Sequence, residues 1–371
     1  MVEPHRTRVV WSPELLGYDF GARHPMAPVR LDLTFRLARE LGVLDGVDLV
    51  GAEPATDEIL GTAHDAGYVA AVRRASATGA ADVARGLGTD DDPVFPGMHE
   101  AAARAVAGSV ESALAVWRGA AAHAVNLAGG LHHAMPDHAS GFCIYNDPVV
   151  AIRAVLAAGA RRIAYVDLDA HHGDGVEHAF WDDPRVLTVS VHESGRTLFP
   201  GTGAPADTGG PGAPGTAANV ALPAGTGDAG WLRAVTEAAL PLVEAFAPEM
   251  VVSQHGCDAH GLDPLTNLAV SVDAQRTAAV LVHDAAHELC AGRWLALGGG
   301  GYAIAQVVPR AWTHLLAIAA HVPVDPATPC PDAWRQHVQR ELGFPGPAVM
   351  GDGADVVWSE ATRARAGPWV E

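Results

Sequence analysis

Cysteine, basic charge and long apolar runs are all scarce in this chain. The four cysteines among 371 residues, Cys143, Cys257, Cys290 and Cys330, form no CxxC pair and no close framework. No disulfide scaffold is expected, and a reducing, cytoplasmic setting is the natural one. Lys and Arg number 24 against 43 Asp and Glu, a formal net charge of -19. That balance argues against direct nucleic-acid binding and is compatible with attraction of cationic substrates. There is no 18-residue uncharged apolar run and no N-terminal apolar h-region, which argues against membrane spanning and secretion. Internal repeats and low-complexity linkers are missing too. The 49% hydrophobic content is enough for a large core, and the length alone would allow two domains.

The chemistry is densest at 165–175, YVDLDAHHGDG. An apolar, β-prone run at 163–166 passes directly into Asp and His residues ended by glycines, so a strand delivers polar groups to its own tip. Alternate residues of an extended chain share a face; Asp167, Asp169 and His171 can therefore point one way while Leu168 and Ala170 point the other. A single carboxylate or imidazole here would read as a helix N-cap region, and Asp174 before Gly175 fits that role. Three Asp and two His within eight positions are different, because unpaired buried charge is very costly. A carboxylate and an imidazole two residues apart suit Zn²⁺ or a similar divalent ion.

Other strand–helix alternations surround this run. Strands are expected at 8–11, 124–128, 186–191, 250–254 and 294–297, and helices at 31–41, 63–74, 98–122, 148–158, 229–246, 272–290 and 303–320. Asp147 is placed as N-cap of the 148–158 helix, with Pro148 at its first position. The segment 201–215 reads as a Gly- and Pro-rich surface excursion and the chain from Val322 as Pro-rich surface wrapping. The acidic loop at 90–97 reads, from spacing alone, as solvated. Such alternation predicts one α/β domain with a mostly parallel sheet and helices on both faces, core at about 8–320 and a C-terminal surface extension at 321–371. In such sheets ligands bind beyond the carboxyl ends of the strands. His132 and His133, the 167–174 cluster, His192, Asp258 and the 298–302 turn all sit there, so one pocket built from five strand ends is expected.

Asp169 and His171 supply two bonds to a metal, and Asp258, after a strand expected to be a neighbour, is the best third. Three protein ligands leave an open position for water. Asp167 and Asp174 remain to orient His132 and His133, and Tyr302, on the glycine turn 298–301, can donate to a developing oxyanion. That turn could also be a phosphate cradle, but no Gly-Lys-Ser/Thr follows.

The combination GGLHHA (129–134), SGFCIYND (140–147), YVDLDAHHGDG (165–175), FPGTG (199–203) and GGGGY (298–302) resembles the zinc-dependent histone deacetylase family. HPMAPVR, DDPVFPGMHEA, HHAMPDHASGF, VHESGRTLFPGTG and DAHGLDPLT are most similar to its bacterial acetoin-utilisation-type branch. The likeness runs in order from about His24 to about Trp312. It implies an arginase-like α/β fold with about eight central strands. It implies Asp169, His171 and Asp258 as ligands of Zn²⁺, with Fe²⁺ as the alternative, and Tyr302 as oxyanion donor. His132 would pair with Asp167 and His133 with Asp174, His133 acting as general base and then acid. Phe142 and Phe199 would wall a narrow acetyl-lysine tunnel, with Gly141 and Gly300 also lining the substrate site. Asp91 would be the rim carboxylate that grips substrate amides, which reverses the reading of its loop, and Arg30 would stand at an inner channel for acetate. A structural K⁺ would be held by backbone carbonyls of Asp167, Asp169 and His171 with Ser190 and Val191.

Asp92 stands where many eukaryotic members have Cys, and Ala27 and Met135 replace common lysines, which argues against partner complexes of the eukaryotic kind. Every catalytic position is kept. The expected activity is removal of acetate from ε-acetyl-lysine in proteins. The alternatives are a deacetylase of small acetylated amines such as acetylpolyamines, a dinuclear manganese ureohydrolase, and a non-enzymatic metal-dependent binding protein.

Overall fold

A strand covered by helices on both faces must be apolar on both sides, and Ile163, Ala164, Tyr165 and Val166 meet that condition. In the computed structural model, which describes residues 7–354 and 356, they belong to the centre of an eight-stranded sheet. The strands are β1 (Arg8–Val10), β2 (Asp48–Val50), β3 (His123–Asn126), β4 (Ile163–Asp167), β5 (Val186–Glu193), β6 (Ala217–Leu222), β7 (Met250–Gln254) and β8 (Trp294–Leu297). All pairs are parallel, in the order β2-β1-β3-β8-β7-β4-β5-β6. The chain lays β4, β5 and β6 outward along one side and then returns to insert β7 and β8 into the middle. Every residue of β3, β4, β5, β7 and β8 is buried.

Helices cover both faces. Val29–Glu40, Val272–Cys290 and Val308–Ala319 pack on one with Trp231 and Trp312 in the apolar layer. Ala66–Thr78, Met98–Trp117 and Asp147–Ala157 pack on the other with Tyr68 and Tyr145.

The expected elements differ from the observed ones in ways that have local causes. The 229–246 helix is two helices, Asp228–Ala234 and Leu240–Phe246, joined by a π turn at Val235–Ala239. Pro241 cannot donate to the carbonyl four residues back and its ring crowds it, so the turn widens. The 98–122 helix stops at Trp117, just before Gly119 turns left-handed at φ 73°. The last sheet-covering helix starts only at Val308, with Pro309 in its first turn. Asp147 is not the N-cap of its helix: Asn146 is, accepting from the Val149 amide at 3.1 Å. Asp147 lies fully buried inside the helix and accepts from the amides of Gly130 and Leu131 and from the Ser109 hydroxyl. The segment after Ala320 contains a helix, Asp332–Leu342, whose Trp334 is fully buried against Leu33 and Leu37 and donates to the Leu33 carbonyl at 2.9 Å. β2 and β6, both absent from the sequence reading, are the two edges of the sheet.

Candidate active site

Strand order decides which tips can meet. β3, β8, β7, β4 and β5 are consecutive neighbours, so the segments that follow them converge on one side of the sheet. In register, Asp167 at the end of β4 stands opposite Gln254 of β7 and Ser190 of β5. Beyond these ends the chain turns, and Asp169, His171 and Asp258 come together with one ligand atom each within 4.8 Å of the others. His171 Nδ1 lies 3.1 Å from Asp169 Oδ1 and 3.0 Å from Asp258 Oδ2. The Asp258 carboxylate also accepts from the Ala170 amide, and Asp169 accepts from the Gly300 amide and the Gln254 side-chain amide.

Two buried carboxylates this close repel each other unless cationic charge lies between them. Burial would lower the His171 imidazole, but its bonds to Asp169 and Asp258 push it up to about 10. Burial would raise Asp169, yet the His132 and His171 charges hold it well below the usual carboxylate range. Burial and then the Asp169 charge push Asp258 up to about 7. The donor set of two carboxylates and one imidazole suits zinc or a related divalent ion. The backbone is cut back around it: a Cβ on Gly300 would lie 2.0 Å from Asp258 Oδ2, and one on Gly256 1.9 Å from Asp169 Oδ2. Only glycine lets these turns approach the carboxylates so closely.

Beside this cluster stand two carboxylate–imidazole pairs. His132 Nδ1 lies 2.8 Å from Asp167 Oδ2 and His133 Nδ1 lies 2.7 Å from Asp174 Oδ1. Asp174 is therefore no helix cap; Gly173 holds that position. With each Nδ1–H given to a carboxylate, both Nε2 atoms face inward, 3.0 Å apart, and His132 Nε2 is 3.9 Å from Asp169 Oδ1. Burial lowers His132, but the charges of Asp167 and Asp169 overcome it and raise the ring to about 9. Burial and the neighbouring His132 charge push His133 down to about 4. Near neutral pH the pair thus carries one positive charge, on His132, and His133 is neutral.

Aromatic rings border the approach. Phe199 meets the His133 ring edge-on at 5.0 Å and Phe142 meets Tyr302 edge-on at 5.6 Å. Gly141, at φ 54°, lies between His133 and Phe199: a Cβ there would sit 2.6 Å from the imidazole and 2.9 Å from the Phe199 ring. Phe142 is itself left-handed at φ 68°, and the Tyr18 hydroxyl donates to its carbonyl at 2.8 Å. Burial raises the Tyr302 hydroxyl well above the ordinary phenol range, so it stays protonated. Its backbone amide donates to Asp263 Oδ2 at 2.8 Å. Asp91 is exposed on its loop; its carbonyl is 3.1 Å from His24 Nε2, and the His24 ring packs edge-on against Phe142 at 4.5 Å. Arg30 is buried behind the glycine turn, donating to the Gly299 and Gly301 carbonyls at 3.0 and 3.1 Å and lying over Trp312. A cavity lined by Tyr18, Met26, Arg30, Ala105 and Ala128 adjoins it.

His192 stands apart from the other expected pocket residues. Its Nδ1 contacts Ser190 Oγ at 2.8 Å and its Nε2 the Gly203 carbonyl at 3.0 Å, so both nitrogens are engaged, the second in holding the start of the 201–215 segment. Other contributors carry no sequence signal of their own. The Tyr165 hydroxyl lies 2.9 Å from Asp167 Oδ2 and 2.7 Å from Gln254 Oε1, while the Asn146 amide donates to the carbonyls of His132 and Ala134. Only the strand period could have marked Tyr165 and Asp167 as sharing a face.

Known proteins resemble this chain over most of its length. A family model described as the histone deacetylase domain matches residues 24–319. Acetoin utilization protein AcuC of Bacillus subtilis (strain 168) is 41% identical over 350 residues, covering 94% of this chain and 90% of that protein. AcuC of Staphylococcus xylosus is 36% identical over 332 residues, covering 88% and 86%. Among solved structures, an HDAC homologue complexed with SAHA superposes with a TM-score of 0.83 at 27% identity, covering 99% of this chain and 100% of that one. The HDA15 HD domain gives 0.77 at 28% identity, covering 84% and 90%.

Proposed function

The chain belongs to the histone deacetylase family, and from that premise we propose that it hydrolyses the ε-acetyl amide of acetyl-lysine in protein substrates, yielding lysine and acetate. The observation that carries the reading is the pairing of a three-ligand cluster, Asp169, His171 and Asp258, with two carboxylate-oriented imidazoles whose Nε2 atoms face the same point. A zinc ion held by that cluster would supply Lewis acidity, lowering the pKa of water and polarising the amide carbonyl.

The remaining steps fall to the chain's own groups. His133, neutral and held by Asp174, accepts the proton of the attacking water at Nε2 as the new C–O bond forms. His132, charged and held by Asp167, steadies the anionic charge that develops beside it. The Tyr302 hydroxyl donates to the carbonyl oxygen as that oxygen becomes an oxyanion. His133 then gives its proton to the lysine nitrogen as the C–N bond breaks, and the tunnel between Phe142 and Phe199 keeps the acyl group dry. Gly141 and Gly300 leave room for that group, Asp91 accepts from substrate backbone amides at the rim, and Arg30 with its adjoining cavity receives acetate. Backbone carbonyls of Asp167, Asp169 and His171, with Ser190 and Val191, would hold a structural K⁺. Ferrous iron could replace zinc with the same ligands, and the proposed setting is cytoplasmic; among the described residues no helix is long and apolar enough to cross a membrane.

A second reading, deacetylation of small acetylated amines, is favoured by the net charge of -19, which attracts cations. Purified protein assayed side by side on acetyl-lysine peptides and acetylpolyamines separates the two. Higher kcat/KM on peptides, with activity lost to a chelator and restored by zinc, is expected. Higher kcat/KM on acetylpolyamines would move the assignment to small amines, and bound metal without hydrolysis of either would remove the enzyme reading.

A further inference from the structure

The opposite ends of the central strands carry a second group of metal-ligating side chains. His123 is the first residue of β3 and pairs in register with Trp294, the first residue of β8; the site described above lies past the other ends of these strands. His283 and His287, spaced i and i+4, share one face of the helix Val272–Cys290. His321 follows the helix Val308–Ala319 in a left-handed conformation, φ 57°, where glycine is the ordinary residue. These four residues each place one ligand atom within 4.8 Å of the others.

The imidazoles are not arranged as a hydrogen-bonded group. His123 Nε2 lies 3.1 Å from His321 Nε2 and 3.0 Å from His287 Nε2. A neutral imidazole has one N–H and one lone pair, and its Nε2 can serve only one partner as donor. As a donor His123 Nε2 has one proton for two partners, and as an acceptor it has one lone pair for two, so the two contacts cannot both be full hydrogen bonds. Four nitrogens at the 2.0–2.1 Å bond length of a tetrahedral zinc ion stand about 3.3 Å apart, close to the spacing found. His283 is already oriented as such ligands are: its Nδ1 faces Asp284 Oδ1 at 2.8 Å, and its buried Nε2 has no hydrogen-bond partner among the described residues. A carboxylate on the far nitrogen fixes the tautomer whose other lone pair is free to ligate. His123 is fully buried and Trp294 packs against both it and His283, at 5.7 and 5.6 Å between ring centroids. His287 and His321 are exposed, which provides an entry path.

We propose that His123, His283, His287 and His321 form a second site, for a divalent transition-metal ion of the zinc class, that ties the start of β3 to the helix Val272–Cys290 and to the end of the helix Val308–Ala319. Imidazole sites take Zn²⁺, Cu²⁺ or Ni²⁺. Four protein ligands leave no open position, so the role is structural.

The test is metal stoichiometry on the full chain at buffered micromolar free Zn²⁺, with kcat/KM on an acetylated substrate measured in parallel. The wild type should hold two zinc ions. His287→Ala/His321→Ala should hold one and keep kcat/KM within about twofold, because neither residue is near the catalytic groups. Asp169→Asn/Asp258→Asn should also hold one, now without activity, and Cu²⁺ added to that variant should give an EPR spectrum with imidazole nitrogen superhyperfine splitting. Should the double His variant misfold, His287→Gln, on the exposed side, carries the same test. One zinc in the wild type, two retained in the His variant, or binding only at millimolar zinc would each overturn the proposal. None of these outcomes depends on which amide the enzyme cleaves.

Discussion

His132 Nε2 stands 3.0 Å from His133 Nε2, and the two rings, adjacent in sequence, differ in proton affinity by environment alone. Asp167 and Asp169 hold a charge on His132, and that charge with burial keeps His133 neutral. The neutral ring is the one able to accept a proton. His133→Ala should therefore lower kcat by about 10²- to 10⁴-fold while the metal content is unchanged. Wild-type turnover in that variant would assign the base to another group.

The proposed metal cluster depends on close approach as well as on ligands. His171→Ala should lose one metal per chain and all activity, whereas His192→Ala, whose nitrogens serve Ser190 and Gly203, should keep the metal. Gly300→Ala would drive a Cβ into the Asp258 carboxylate, and a metal affinity reduced about 10- to 100-fold is expected, the range for losing a ligand's support. Competition with a chromophoric chelator measures it; unchanged affinity would show that the close approach of the glycine turn does not support the metal site.

Tyr302→Phe removes the donor proposed to act on the transition state. A loss of about 10²- to 10³-fold in kcat is expected, with KM and hydroxamate binding little changed. Normal kcat would mean that the oxyanion is stabilised by something else.

The rim is tested at Asp91. Charge-assisted bonds to two substrate amides are worth about 1.5–3 kcal/mol, so Asp91→Ala should lower kcat/KM for acetyl-lysine peptides about 10- to 100-fold. Short acetylated amines, which have no backbone amides at the rim, should be affected far less. Equal losses on both substrates would remove the rim role.

His64 links pH to stability. Its Nδ1 is 3.0 Å from the Met135 carbonyl and its Nε2 accepts from the Asn146 amide at 2.9 Å, an arrangement open only to the neutral ring. Burial pushes it down to about 4, below the 6.5 of the unfolded chain, so the unfolded state binds its proton first as pH falls. Stability is full above about pH 6.5, declines between 6.5 and 4, and the loss reaches roughly 3 kcal/mol. His64→Asn should be less stable at pH 7.5 but show a flatter Tm between pH 7 and 4.5. An unaltered slope would place the acid sensitivity elsewhere.

By itself the sequence determined the polar strand tips, because each is a local event: a buried apolar run ending in polar residues, as at Val166 to Asp169 or Gln254 to Asp258. The helix 272–290 and the strands 250–254 and 294–297 were legible to the residue for the same reason, their periodicity being unbroken between clear stops. The edge strands were not. β2 has three residues and β6 is alanine-rich, and an edge strand is specified by the neighbour it pairs with more than by its own apolar pattern. The tertiary structure alone decided that β7 and β8 insert between β4 and β3, which brings Asp258 and Tyr302 to residues more than 80 positions earlier. It also decided that Asp147 faces the Gly130 amide rather than capping its helix, that Tyr165 and Gln254 brace Asp167 and Asp169, and that His123 meets His283, His287 and His321. These are contacts between side chains far apart in the chain. Sheet order and helix packing set them, and no local period encodes which distant partner a polar side chain will find.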